Sequence, residues 1–172
     1  AIIAISPQQK TELTKEHCIC EPEKVHVIPL GFDLDRFRIN RNEKRIRFRN
    51  AWQITDDEIV ITIIGRLVPV KNHEMFLDVI SAVLKSTSKP IRAMIVGDGE
   101  SRSQIEQKAK NLGLEFGTKP GKEKLIFTSW ISEIDVVLAG SDIVALTSWN
   151  EGTPVSLIEA HASGLPVVST LA

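Results

Sequence analysis

The chain has 172 residues, 42% of them hydrophobic and 25% charged, with 21 Lys and Arg against 22 Asp and Glu and a net charge of −1. That is enough chain for a folded core, and the near balance of charge argues against nucleic acid as the main partner. No run approaches the about 18 apolar residues of a membrane span, and the opening AIIAISPQQK lacks the basic flank of a signal peptide.

Short apolar runs recur along the chain and predict strands at residues 2–6, 25–30, 59–67, 91–98, 125–130, 142–148 and 166–170. Several are nearly continuous in Ile, Val and Leu, the pattern of strands covered on both faces. Helical patterns lie between them. In the segment from Asn72 to Lys85, Met75, Phe76, Val79, Ile80, Val83 and Leu84 follow the i, i+3/i+4 rule, with Asn72 as a candidate N-cap. From Ser101 the matching set is Ile105, Ala109 and Leu112, with Gly113 as C-cap. The alternation predicts an α/β, Rossmann-like parallel sheet with helices on both faces. Residues 113–124, rich in Gly, Lys and Pro, predict an exposed hairpin or loop.

Cys18 and Cys20, one residue apart, predict free thiols in a reducing cytoplasm. The four histidines show no metal-ligand spacing. Between Arg36 and Arg49 seven Lys or Arg face a single acid, Glu43. Such a segment fits peripheral contact with anionic lipid or a phosphorylated acceptor; the alternative is a solvated helix face anchored by Ile46 and Trp52.

Three places carry candidate chemistry. The first is Gly65-Arg66 and Lys71 after the strand at 59–67, at a carboxyl end where open α/β sheets bind ligands. Arg66 offers a planar fork and Lys71 a compact charge, both suited to phosphate oxygens. The second is Gly97-Asp98-Gly99, which fits a tight strand-to-helix turn better than a ligand loop, although Gly97 permits close approach to the backbone. The third is SWNEGTPVSLIEA. Here Glu151 stands in a polar turn and Glu159 in the following apolar helical run, eight positions later. A carboxylate among Leu157, Ile158 and Ala160 needs a partner, and the helix start favours an anion. Together these point to a phosphorylated, hydroxyl-rich ligand.

VIPLGFDLDRF, GRLVPVKNHEMFLDVI and SWNEGTPVSLIEAHASGLPVVST, with IVGDGESRSQIE between the last two, resemble the retaining GT-B glycosyltransferases of family 4 over almost the whole chain. The Glu-x7-Glu element combined with GRL-x3-K is the specific part. The resemblance implies two Rossmann-like domains with a cleft between them. Residues 1–24 then end the N-terminal domain, and residues 25–172 form the nucleotide-sugar donor domain, incomplete at its C-terminus. Arg66 and Lys71 would bind the donor diphosphate, and Glu151 would face the donor sugar. Glu159 would accept from the ribose hydroxyls, and Trp130 and Ile131 would pack the base. Gly65 and Gly97 would lie under the ligand, while Gly152, Thr153, Pro154 and Val155 would shape the sugar loop with their backbone.

The implied activity is transfer of a sugar from a nucleotide donor, with UDP preferred, to a glycan or glycolipid in the cytoplasm and without a metal. The partner would be the acceptor domain of the same protein. A nucleotide-sugar epimerase and a non-catalytic nucleotide-sugar module are the alternatives. Ser129 and Asn72 stand where the family has glycine, and Thr153-Pro154 replace Phe-Gly, which leaves the donor sugar open. The ends of the chain predict a piece of a longer protein with no turnover by itself.

Overall fold

The computed structural model describes residues 1–171 and divides into two units, the first of residues 1–33 and the second opening at Leu34. The first holds β1 (Ile2–Ala4), α1 (Pro7–Thr11) and β2 (Val25–Val27), with β1 and β2 paired in parallel. Ser6 caps α1 by accepting from the Gln9 N–H, and Lys10 reaches across to the Val25 carbonyl at 2.9 Å. Cys18 and Cys20 are free thiols. Because β2 pairs with β1, it belongs to this unit, and the second unit opens at Leu34 rather than at residue 25.

The second unit is a six-stranded sheet in the order β5-β6-β4-β3-β7-β8, parallel throughout. Its strands are β3 (Ile59–Ile64), β4 (Ile91–Val96), β5 (Phe116–Gly117), β6 (Leu125–Ser129), β7 (Ile143–Leu146) and β8 (Val167–Ser169). Its helices are α2 (Arg41–Ala51), α3 (His73–Ser86), α4 (Arg102–Asn111), α5 (Ile134–Gly140) and α6 (Val155–Ala162). Phe76, Leu77 and Ile80 of α3 and Ile105 and Ala109 of α4 pack with Ile63, Ile95 and Phe127 of the sheet. A second cluster joins Phe48 of α2 and Val136 and Val137 of α5 to Val60, Met94 and Ile126, so both faces of the central strands are covered.

All seven expected strands form, but each is shorter than its apolar run, and for most the lost residues are at the carboxyl end. There the chain leaves the sheet through conformations that a continuing strand does not adopt, with φ of 142° at Gly97 and 59° at Ser129. The α4 C-terminus is as expected. Gly113 has φ of 71°, its N–H reaches the Lys110 carbonyl, and the Leu114 N–H reaches that of Ala109, closing the helix in a Schellman motif. Residues 113–124 are not a hairpin, because the short β5 inside them runs parallel to β6. On α3 the buried set is Phe76, Leu77 and Ile80, while Met75 and Val79 turn outward beside an apolar groove that also includes Ile143 and Val168.

The basic segment is largely tied into the unit. Lys44 pairs with Asp135, Arg45 and Arg49 with Asp142, and Arg47 with Glu133, which accounts for four of its seven cations. Its anchors are Phe48, packed against Gly140, and Trp52, packed on the same cluster, and not Ile46, which is 62% exposed.

Candidate functional site

In chain order the sheet grows from β3 through β4 to β6 on one side, then returns to place β7 on the other side of β3. The strand order therefore reverses between β3 and β7, and the loops leaving their carboxyl ends stand at the switch point where open α/β sheets place ligands. The β3 loop carries Gly65 to Asn72, and the β7 loop carries Thr147 to Pro154.

Thr147 and Trp149 lock these loops together, and Thr170 holds the β7 loop from the end of β8. Thr147 Oγ1 lies 3.0 Å from the Lys71 carbonyl and 2.9 Å from that of Asn72. The Trp149 N–H donates to the Val70 carbonyl at 2.8 Å. Thr170, just after β8, donates from Oγ1 to the Ser148 carbonyl at 2.6 Å. Lys71 closes a single 3-10 turn that begins at Pro69, and Asn72 follows in the left-handed region with φ of 49° while its side chain caps α3 at the Met75 N–H. Asparagine tolerates this conformation better than most residues, so it can stand where the family resemblance called for glycine.

The product of this scaffold is an ion pair. Lys71 Nζ lies 2.5 Å from Glu151 Oε1, and the same oxygen accepts from Ser148 Oγ at 2.6 Å. The Glu151 side chain is 10% exposed and that of Lys71 26%, so the carboxylate is held nearly dry while the ammonium keeps some access to solvent. The aliphatic stem of Lys71 runs past Gly65, 3.9 Å from where a side chain at that position would begin.

The other expected residues lie on separate elements. Arg66 is not joined to it; its guanidinium reaches Glu100 at 3.5 Å, with both side chains about two-thirds exposed. An exposed pair of that kind holds weakly, leaving the guanidinium able to move. Glu159 is on α6, and burial pushes its carboxyl above the usual carboxylate range, opposed by Arg36 and reinforced by Asp135. Trp130 is exposed just past β6, while Ile131 packs against the α2–α5 cluster.

Gly97 carries a structural reason of its own. It has positive φ, and a side chain there would collide with the Gly65 carbonyl, so it permits the close crossing of the β3 and β4 ends. Of the sugar-loop residues, Gly152 has open space around it, Pro154 has no N–H, and the Val155 N–H is taken by the Thr153 carbonyl at 2.9 Å. The expected backbone donors therefore narrow to Gly152 and Thr153.

Two elements were missed from sequence. One is the Thr147–Ser148 clamp, whose only signal was its place at a strand end before a polar turn. The other is the network in which Asp98 accepts from the Gly99 N–H at 2.9 Å, from Ser129 Oγ at 3.0 Å and from Arg102 at 3.3 Å. The Gly99 N–H, then Ser129 and Arg102, hold the Asp98 carboxyl below its usual range. The network fixes Ser129, whose carbonyl accepts from the Gly97 N–H at 3.0 Å, directly before Trp130.

The profile of the family described as glycosyl transferases group 1 matches residues 44–171, within the second unit. The chain belongs to this family. It is 32% identical over 164 residues to the UDP-Gal:alpha-D-GlcNAc-diphosphoundecaprenol alpha-1,3-galactosyltransferase of Escherichia coli, covering 90% of the chain and 39% of that protein. It is also 32% identical over 148 residues to the putative glycosyltransferase EpsF of Bacillus subtilis (strain 168), covering 86% of the chain and 36% of EpsF. Among solved structures, WaaG, a glycosyltransferase involved in lipopolysaccharide biosynthesis, superposes with a TM-score of 0.79 at 21% identity, over 98% of the chain and 44% of WaaG. Anabaena Alr3699/HepE in complex with UDP-glucose gives 0.77 at 25% identity, over 99% of the chain and 44% of HepE. The six-stranded unit is thus the C-terminal half of a GT-B fold, and the chain spans less than half the length of each of these proteins.

Proposed function

We propose that this chain binds a nucleotide-sugar donor, with UDP as the nucleotide, and that with its acceptor-binding half it transfers the sugar with retention, in the manner of family 4. The observation that carries the reading is the Lys71–Glu151 pair, built where the strand order reverses. The E. coli relative, whose name specifies a UDP-sugar, and the UDP-glucose complex of HepE support the choice of donor.

In this reading the bond between the anomeric carbon and the diphosphate oxygen breaks, and its electron pair leaves on the diphosphate. Lys71 and Arg66 stabilise that charge, aided by the Gly152 and Thr153 amides near the start of α6. The acceptor hydroxyl oxygen bonds to the same face of the carbon, and its proton passes to the departing phosphate oxygen. Lys71, held in place, and Arg66, free to swing in, supply the positive charge that a divalent ion would otherwise provide, so the reading needs no metal. Glu151 acts by position and charge, because its Oε1 is already engaged by Lys71 and Ser148. Glu159 accepts from the ribose, and Trp130 covers the base.

No helix among the described residues is long and apolar enough to cross a membrane. We place the protein in the cytoplasm, with peripheral contact through Arg38 and Arg41 and the exposed Ile39 and Ile46. The lipid-linked substrate in the E. coli relative's name supports that placement.

Titration with UDP, GDP and UDP-N-acetylglucosamine, followed by amide NMR, tests the donor reading. Selective binding of UDP, weakened by Glu159→Ala and by Arg66→Ala/Lys71→Ala, is expected. No binding at millimolar nucleotide by the folded chain would remove the donor site as described. Loss of sugar transfer by the full-length protein on Lys71→Ala tests the catalytic role.

A further inference from the structure

We propose that the cavity beside Trp149 is a carbohydrate subsite, separate from the nucleotide site, that takes a neutral pyranose ring. Trp149 is 72% exposed, and its backbone is held in place. The backbone N–H donates to the Val70 carbonyl, and the residue stands between Ser148, which is engaged with Glu151, and the turn that carries Glu151 itself. The indole borders a cavity of about 290 Å³ whose other lining includes Asn72, His73, Glu74, Ser101 and Gln104. That volume sits at the small end of ligand pockets and suits a single sugar ring.

The lining chemistry selects the ligand. An indole face packs against the C–H face of a pyranose and needs no charge to do so. Gln104 Nε2 donates to Glu74 Oε1 at 2.6 Å, and Asn72 Oδ1 accepts from the Met75 N–H. These contacts leave Gln104 Oε1, Glu74 Oε2 and the Asn72 amide nitrogen for hydroxyl groups. No Lys or Arg lines the cavity, and Glu74 repels anions, so a phosphate is disfavoured. A hydroxyl-rich neutral ring satisfies both the acceptors and the apolar wall.

The cavity is formed at the starts of α3 and α4, which pack on one face of the sheet, whereas Glu159 lies on α6 with the cluster on the other face. The two sites meet through the β7 loop, which bears Trp149 and Glu151, and through the β3 loop, which sets Val68, Pro69 and Asn72 at the cavity and carries Arg66 and Lys71 of the donor site. That position suits a sugar residue of the growing acceptor rather than the donor's own sugar. This assignment rests on the glycosyltransferase reading for the choice of a saccharide over another polyol.

The test is an NMR titration of the chain with methyl α-glucopyranoside, methyl α-galactopyranoside and N-acetylglucosamine, following the three indole N–H signals, with inorganic phosphate and glycerol as controls. Trp149 is assigned by Trp149→Phe. The expected result is a saturable shift of the Trp149 signal at millimolar sugar, retained when UDP is present. Followed at the backbone amides of Glu74 and Ser101, Trp149→Ala should weaken binding roughly tenfold and Gln104→Ala several-fold. Because Trp149 is mostly exposed, its truncation should leave the urea midpoint unchanged, which separates lost binding from lost folding.

Absence of a saturable Trp149 shift overturns the subsite. So does a shift of Trp130 that UDP abolishes, which would place the sugar in the donor site, or an equal response to phosphate. UDP binding without sugar binding would sink this proposal alone, and sugar binding without UDP binding would sink the donor reading alone.

Discussion

Lys71 and Glu151 share a hydrogen bond of 2.5 Å, but they do not share an environment: the carboxylate is nearly buried and the ammonium is a quarter exposed. Removing one partner of a buried pair leaves the other charge uncompensated, and the cost follows how dry that remaining charge is. Lys71→Ala strands Glu151 with Ser148 as its one side-chain donor, whereas Glu151→Ala leaves an ammonium that can turn to water. Lys71→Ala is therefore expected to destabilise by about 2–4 kcal/mol and Glu151→Ala by about half as much, with the double variant less destabilised than the sum. Urea unfolding of the three variants measures this; equal losses for the two single variants would contradict the asymmetry.

How much of this could be read in the sequence depends on the range of the interaction. The β-α-β alternation, the Asn72 cap and the Gly113 stop are encoded within a few residues and were legible. Lys71 and Glu151 were legible as polar turn residues after apolar runs, although their contact spans 80 positions. Arg49 was not: it reads as one more cation in a basic run, and the partner that buries it, Asp142, is 93 positions away. The placement of β2 was equally hidden, because an apolar run does not say which strand it will join. Ser129 was legible as a departure from the family's glycine, but the reason for glycine there, a φ of 59°, belongs to the backbone.

His73 is 2% exposed, and neither ring nitrogen has a hydrogen-bond partner. Burial, with Lys71 adding to it, lowers its pKa from 6.5 to about 4. Below pH 6.5 the unfolded chain takes up this proton and the folded chain does not, so stability contributed by the neutral ring is complete above that pH. It is lost as pH falls from 6.5 toward 4, by up to about 3 kcal/mol. His73→Leu should remove this slope while costing little at pH 7. Unfolding free energies of both proteins across that window decide it, and parallel curves would mean that His73 is not the titrating group.

Ser129 adopts a left-handed conformation and is held by two side-chain contacts, donating to Asp98 and accepting from Arg102 at 2.8 Å. Ser129→Ala keeps the backbone strain and loses both bonds. Ser129→Gly loses the same bonds but relieves the strain, which is about 1 kcal/mol for a residue with a β-carbon. The alanine variant should therefore be less stable than the glycine variant by about that amount. Thermal or urea midpoints that place the two together would show that the site does not enforce this conformation in solution.

The guanidinium of Arg49 is the most deeply buried cation of the basic segment, 2% exposed, and burial lowers its pKa against the opposing pull of Asp142. It donates to the carbonyls of Thr55, Glu58 and Gly140 and to Asp142 Oδ2 at 2.6 Å, and that same oxygen accepts from the Val60 N–H at 2.8 Å. One carboxylate thus ties α2 to the first residues of β3 and β7. Asp142→Ala leaves a buried charge and a backbone donor without their acceptor, for an expected loss of about 3–5 kcal/mol. Arg49→Lys should also destabilise, since an ammonium cannot reach three separated carbonyls as the planar fork does. Arg45 binds the other oxygen of Asp142 from a position one-third exposed, so Arg45→Ala should cost under about 1 kcal/mol. Urea denaturation of the three variants tests this order, and a loss for Arg45→Ala matching that of Asp142→Ala would move the anchor of α2 from Arg49 to Arg45.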